Sequence, residues 1–295
     1  MRDATRFAPS PNGWLHLGHA FSAITAHDAA RELNGDFLLR IEDIDMGRCR
    51  PEYVEGIYDD LAWLGLTWVM PVRRQSEHFD EYEKALKTLR SRGLVYPCFA
   101  TRKEINAMIE GSGIGFARWP LDPDGAPVYP GIYKDISTTE LNRLMWEGRT
   151  YAWRLDMEKA LAEAEEINGG PITFTETGAG PRGQTGILPI NPLSYGDVII
   201  ARKDVPTSYH LAVTLDDAAQ GVTLVTRGQD LFPATYVHRV LQILMGLPEP
   251  RYRHHGLIRE ETGRRLSKTA KDKGLRDLRA GGATPADIRR LIGLN

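Results

Sequence analysis

Cysteine is nearly absent: Cys49 and Cys98 are the only two in 295 residues. Two thiols exclude a disulfide framework, and no C-x-x-C knuckle is present to hold a metal. Long apolar runs are missing as well. No window approaches the ~18 to 20 apolar residues a membrane span needs, and the N-terminal MRDATRFAPS lacks an apolar signal core. Nor is there an excess of one charge: 39 acids nearly balance 37 bases, so any contact with RNA needs a local basic face. What remains is 42% hydrophobic and 26% charged residues, the balance of an ordered globular chain. A soluble protein of a reducing cytoplasm is expected, and no internal repeat is visible.

Thr5 to Ala8 reads as a strand that stops at Pro-Ser-Pro-Asn-Gly, since prolines and glycine continue neither strand nor helix. From Leu17, the spacing of Ala20, Ile24, Ala30 and Leu33 predicts a helix closed by Asn34-Gly35. DFLLRIED follows as a strand, completing a right-handed parallel unit. Pro51 opens a helix, and HFDEYEKALKTLRSRG gives another. Beyond Tyr96-Pro97, glycine and proline scatter through the chain. There Ser137 to Glu140 forms a capping box, DMEKALAEAEE reads as a solvated helix, and NGGPITFTETGAGPRGQTG reads as an exposed loop. The α/β pattern then resumes with DVIIARK as a strand, SYHLAVTLDDAAQG as a helix, VTLVTRG as a strand and DLFPATYVHRVLQILMG as a helix. The expected organisation is a core over 1–97 and 193–246, split by an α+β insertion at 98–192. A tail at 247–295 ends in the capped helix TPADIRRLIG.

Two features carry chemistry. His16 and His19 sit at the first strand-to-helix turn, where unpaired backbone N–H groups and the helix dipole attract phosphate. Gly18 lets a ligand approach that turn, and the imidazoles can donate to phosphoryl oxygens as charge develops. Composition alone produces an H-x-G-H match roughly 0.02 times in such a chain. Far downstream, Arg264 to Lys268 places Ser267 and Lys268 in a basic loop able to neutralise a leaving pyrophosphate.

Together these elements resemble class I aminoacyl-tRNA synthetases: HLGH resembles their HIGH signature and Arg265-Leu266-Ser267-Lys268-Thr269 their KMSKS loop. RFAPSPNGWLHLGHA, LLRIEDID, YHLAVTLDDAAQGVTLVTRGQDL and GRRLSK resemble, in order and spacing, the glutamyl-tRNA synthetase family. The resemblance implies a Rossmann-like parallel core and a short C-terminal helical segment. It also implies ATP with Mg²⁺, with His16, Gly18, His19, Ser267 and Lys268 on the nucleotide side. Arg6, Ser10, Glu42, Tyr209 and Arg227 match the family's glutamate ligands, with Glu42 for the ammonium group and Arg227 for the side-chain carboxylate. His27, His78, His210, His238, His254 and His255 are read as ordinary packing or surface histidines.

With so few residues following the lysine loop, a large anticodon-binding half is not expected. In this it is similar to the glutamyl-queuosine tRNA(Asp) synthetase family, whose acceptor is queuosine in the anticodon loop of tRNA(Asp). A monomer without zinc is expected. Cys98 and Tyr129 stand at two positions where relatives bind the metal, but Ala100 and Tyr133 replace the thiolates. The alternatives are a shortened glutamyl-tRNA synthetase acting at a tRNA 3′ end, a small nucleotidyltransferase, and a non-catalytic paralogue that binds tRNA or amino acid.

Overall fold

The computed structural model describes residues 2–202, 204–258 and 274–294. Its strands in chain order are β1 (Ala4–Phe7), β2 (Asp36–Ile41), β3 (Val69–Arg74), β4 (Val95–Cys98) and β5 (Ala152–Leu155). They continue with β6 (Thr173–Glu176), β7 (Gly186–Pro189), β8 (Ile199–Arg202), β9 (Leu224–Gly228) and β10 (Arg251–His255).

The first parallel unit forms where the alternation of turn and apolar run places it. β1 pairs with β2 from Ala4↔Asp36 to Phe7↔Leu39, and β2 pairs with β3. The crossover helix, Leu17–Glu32, buries Ala20, Ala23, Ile24, Ala26, Ala29 and Ala30, mostly small residues that let it lie close against the sheet. It ends as the sequence predicts, with Asn34 in the left-handed region at φ 49°. Gly35 then passes so close to Asp3 that a Cβ would stand 2.4 Å from its carbonyl oxygen. A second sheet has the order β7-β6-β10-β9, with β10 parallel to both neighbours and β7 antiparallel to β6. The two sheets meet along β1 and β9: Thr223 N–H donates to the Ala4 carbonyl at 3.0 Å, and Arg6 reaches the Thr226 carbonyl at 3.0 Å. The chain thus runs out to β2 and β3 on one side and to β10 and β6 on the other. This reversal opens a crevice beyond the carboxyl ends of β1 and β9, the place where doubly wound α/β folds take their ligands.

Two strands differ from expectation. DVIIARK, read as a core strand, supplies β8, which pairs antiparallel with β5 in the separate sheet β4-β5-β8. The glycine-rich segment read as an exposed loop contains β6, with Phe174 and Glu176 each 1% exposed, and β6 joins the parallel sheet through β10. Alternation marks a strand but not its partner, and both pairings span dozens of residues. The acidic helix Met157–Asn168 is not merely solvated either, since it buries Met157, Ala160 and Ala164 in the core. Thr284 caps the last helix, Pro285–Leu291, which packs Ile288 beside the first crossover helix and pairs Arg289 with Asp28 at 3.0 Å. Among the described residues, no helix is long and apolar enough to cross a membrane.

Candidate active site

The histidine turn begins right after β1. His16 is the N-cap of helix Leu17–Glu32, and its Nδ1 accepts the Gly18 N–H at 3.1 Å. Reciprocally, His19 Nδ1 accepts the His16 N–H at 3.1 Å, so two imidazoles build the capping box that serine and glutamate usually form. Each Nδ1 is an acceptor. The neutral rings therefore carry their protons on Nε2 as donors. The rings lie 3.9 Å apart between centroids. Gly18 serves a purpose the sequence did not reveal: a Cβ there would stand 3.0 Å from His16 Cε1, so glycine makes room for the folded-back ring as well as for a ligand.

A cleft of about 570 Å³ opens over this turn. Arg6, Ser10, His16, Gly18, His19, Glu42, Tyr209 and Arg227 all line it, brought together from β1, the turn, the end of β2, helix Tyr209–Ala219 and β9. Ser267 and Lys268 lie outside the described residues. The residues flanking that stretch are at the site, however, since Ile258 lines the cleft and Gly274 bridges to His16.

The two arginines differ in state. Arg6, one of the residues matching the family's glutamate ligands, commits two parallel donors to Asp217, Nε to Oδ1 at 2.9 Å and Nη2 to Oδ2 at 3.3 Å. Arg40, fully buried, binds Asp217 at 2.8 Å and Glu42 at 3.2 Å, tying β2 to helix Tyr209–Ala219. Burial pushes the Glu42 carboxyl above its ordinary value, against the pull of Arg40 and Arg6, so a cation arriving beside it would be favoured. Burial likewise raises the Tyr209 phenol.

Arg227 is only 5% exposed, yet its hydrogen-bond partners among the described residues are all uncharged. Nε donates to His254 Nε2 at 3.1 Å, Nη1 meets His238 Nδ1 at 3.2 Å, and Nη2 donates to Thr235 Oγ1 at 2.6 Å. Burial, aided by Arg227, lowers His210 to about 4, and burial lowers His254 to about 4 against the Glu176 hydrogen bond. His254 and His238, read in the sequence as bland, are thus part of the site's framework. So are Arg40 and Asp217, which lie inside the stretches LLRIEDID and YHLAVTLDDAAQG, and Thr235 and Glu176, which lie outside the stretches that carry the family resemblance.

The low histidine values set a pH dependence. Between pH 4 and 6.5 the unfolded chain binds protons at His210 and His254 that the folded chain does not, so stability is lost as pH falls through that window. The loss expected for the pair is on the order of a few kcal/mol. Asp60, raised to about 6 by burial, acts with the opposite sign. In an Asp60→Asn background, thermal unfolding is therefore expected to show Tm falling more steeply from pH 6.5 to 5 than in the unsubstituted protein. An equal slope in both would contradict this assignment.

The residues at the positions where the family resemblance implies zinc ligands do not form a zinc donor set. Cys98 Sγ lies 3.2 Å from the Tyr129 hydroxyl, which also accepts the Tyr133 N–H at 3.0 Å, and Ala100 offers no donor. Lys134 next to them holds the subdomain by charge, reaching Asp156 and Glu158 at 2.9 Å and Asp197 at 3.6 Å.

A histidine-capped turn at the switch point of a parallel sheet, beside a buried arginine, suits the binding of a nucleotide and a charged substrate, and the class of protein is shown by its relatives: it is a class I aminoacyl-tRNA synthetase domain. A family model described as tRNA synthetases class I (E and Q), catalytic domain, matches residues 4–293. The chain is 51% identical to a Rhodobacter capsulatus protein named glutamyl-Q tRNA(Asp) synthetase, covering 98% of this chain and 99% of that one. A protein of the same name from Nitratidesulfovibrio vulgaris is 38% identical over 96% of this chain and 83% of its own. The chain belongs to the glutamyl-Q tRNA(Asp) synthetase family and is a ligase. The crystal structure of glutamate-tRNA synthetase from Elizabethkingia anophelis matches with a TM-score of 0.72 and 26% identity. The match covers 96% of this chain and 54% of that one, so the chain spans about half the length of that relative.

Proposed function

We propose that the protein activates L-glutamate with ATP, without needing tRNA, and transfers the glutamyl group to queuosine in the anticodon loop of tRNA(Asp). The observation that carries the reading is Arg227, a buried guanidinium with neutral partners, opening on the same cleft as the histidine turn. A buried cation with no anion bonded to it among the described residues favours a ligand that brings one, here the glutamate side-chain carboxylate. Glu42 takes the ammonium group, with Tyr209, Ser10 and the remaining N–H groups of Arg6 around the substrate backbone.

An oxygen of the glutamate α-carboxylate attacks the α-phosphorus of ATP, and pyrophosphate leaves. The queuosine hydroxyl then attacks the acyl carbon, loses its proton and displaces AMP. His16 and His19 present Nε2–H donors to the phosphates, and Ser267 and Lys268 neutralise the departing pyrophosphate. Mg²⁺ accompanies ATP through phosphate oxygens. Positioning and electrostatics supply the rate, so no covalent enzyme nucleophile is required. The same reading has a zinc-free, monomeric, cytoplasmic enzyme built as a split core, an insertion and a helical tail.

Glutamylation of tRNA(Asp) with and without queuosine tests the acceptor. Transfer to the modified tRNA alone is expected. Equal charging of unmodified tRNA, or a product at the 3′ end, would assign a glutamate–tRNA ligase instead, and no transfer with no activation would leave a binding paralogue.

A further inference from the structure

We infer that Glu176 and His254 are positioning residues: a carboxylate–imidazole relay aims the open N–H groups of Arg227 and so sets the preference for glutamate. The inference rests on reading Arg227 as the carboxylate ligand, and the relay itself is fixed by donor counting. Arginine has only donors, so its Nε–H makes His254 Nε2 an acceptor and leaves the ring proton on Nδ1. Nδ1 then donates to Glu176 Oε2 at 2.5 Å. Glu176 Oε1 is held in turn by the backbone N–H groups of His254, at 3.0 Å, and Gly178, at 2.8 Å. Both side chains are fully buried. Gly178 permits the approach, since a Cβ there would stand 2.5 Å from the His254 carbonyl oxygen. The glycine-rich loop after β6 thereby acquires a purpose.

The same counting runs along the other arm. Arg227 Nη1 makes His238 Nδ1 an acceptor, and His238 donates from Nε2 to His210 Nδ1 at 3.3 Å. With Thr235 on Nη2, three of five N–H groups are committed among the described residues, and each terminal nitrogen keeps one beyond these bonds. A carboxylate placed directly on Arg227 would compete with the substrate. Glu176 instead stands one imidazole away, ordering the guanidinium and leaving its charge for a γ-carboxylate. A γ-amide would turn N–H groups toward these donors, which a site built for an acceptor rejects.

Glu176→Gln tests the relay. The new amide oxygen keeps the two backbone bonds, so its NH₂ faces His254 Nδ1. The ring proton must then move to Nε2, against the Arg227 Nε–H. The expected results are a switch of the His254 tautomer in ¹⁵N NMR and a KM for glutamate raised about tenfold, with kcat within about threefold and the ATP KM unchanged. His254→Leu should match this loss. His254→Gln, whose amide can accept from Arg227 and donate to Glu176, should stay within about threefold of the unsubstituted protein. A His254 protonated on Nε2 in the unsubstituted protein, an unchanged glutamate KM, or equal losses in His254→Leu and His254→Gln would overturn the relay. So would a fall in kcat and ATP affinity parallel to that in glutamate affinity. If Glu176→Gln does not fold, the contrast between the two His254 variants decides the same question. The tautomer reading requires no activity, so it stands apart from a failure of glutamate activation itself.

Discussion

Arg227→Met is expected to raise the KM for glutamate in ATP–pyrophosphate exchange by about 10² to 10³-fold, with the KM for ATP changed only a few-fold. The size follows from what the substitution strands. In the proposed complex the substrate carboxylate meets a guanidinium that is itself only 5% exposed, and removing the cation leaves a desolvated anion without a partner. The selectivity between substrates follows from location, because Arg227 stands on β9 and the histidine turn at the N-terminus of the crossover helix. Ligand-induced stabilisation gives an independent reading. Saturating glutamate should raise the Tm of the unsubstituted protein and leave that of Arg227→Met unmoved. Arg6→Met should behave differently. Arg6 is one of two counterions of buried Asp217, with Arg40, so its loss should lower Tm in the absence of any substrate. Equal effects of the two substitutions on glutamate KM and on Tm would contradict the distinction between an arginine paired with a carboxylate and one whose described partners are neutral.

His16→Asn and His16→Ala separate the chemistry of the turn from its folding. Both are expected to lower kcat for exchange by about 10² to 10³-fold while the glutamate KM stays within a few-fold, because donors aimed at developing charge act in the transition state. His16 is also the N-cap of the crossover helix. Asparagine keeps a capping oxygen for the Gly18 N–H, so His16→Asn should retain the parent Tm, while His16→Ala should lose about 1 kcal/mol of stability. His19→Ala removes the other half of the capping box and should resemble His16→Ala. An active His16→Asn would show that the imidazole matters only as a cap, and a matching loss of glutamate binding would remove the division of labour along the cleft.

What could be read from the sequence was mostly local. Pro51 opens its helix, Ser137 and Thr284 cap theirs, and Asn34 closes the crossover, each through contacts within a few residues. The H-x-G-H turn was visible for the same reason, and all eight described candidate residues line one cleft. What escaped was non-local. β8 and β6 were placed by partners far along the chain, and Glu176 meets His254 across 78 residues. His238 and His254 looked like packing histidines because what sets them apart is accepting from Arg227, a property of tautomer and orientation that composition does not carry. Arg6 shows the converse: the residue type suited a carboxylate, but the carboxylate it binds is Asp217 of the protein itself.

Glutamate activation is tested most directly by ATP–pyrophosphate exchange with the purified protein, Mg²⁺ and single amino acids in the absence of tRNA. The expected outcome is exchange that depends on L-glutamate and is at least about a hundredfold weaker, in kcat/KM, with L-glutamine. Absence of exchange with every amino acid, or exchange as strong with glutamine, would contradict it.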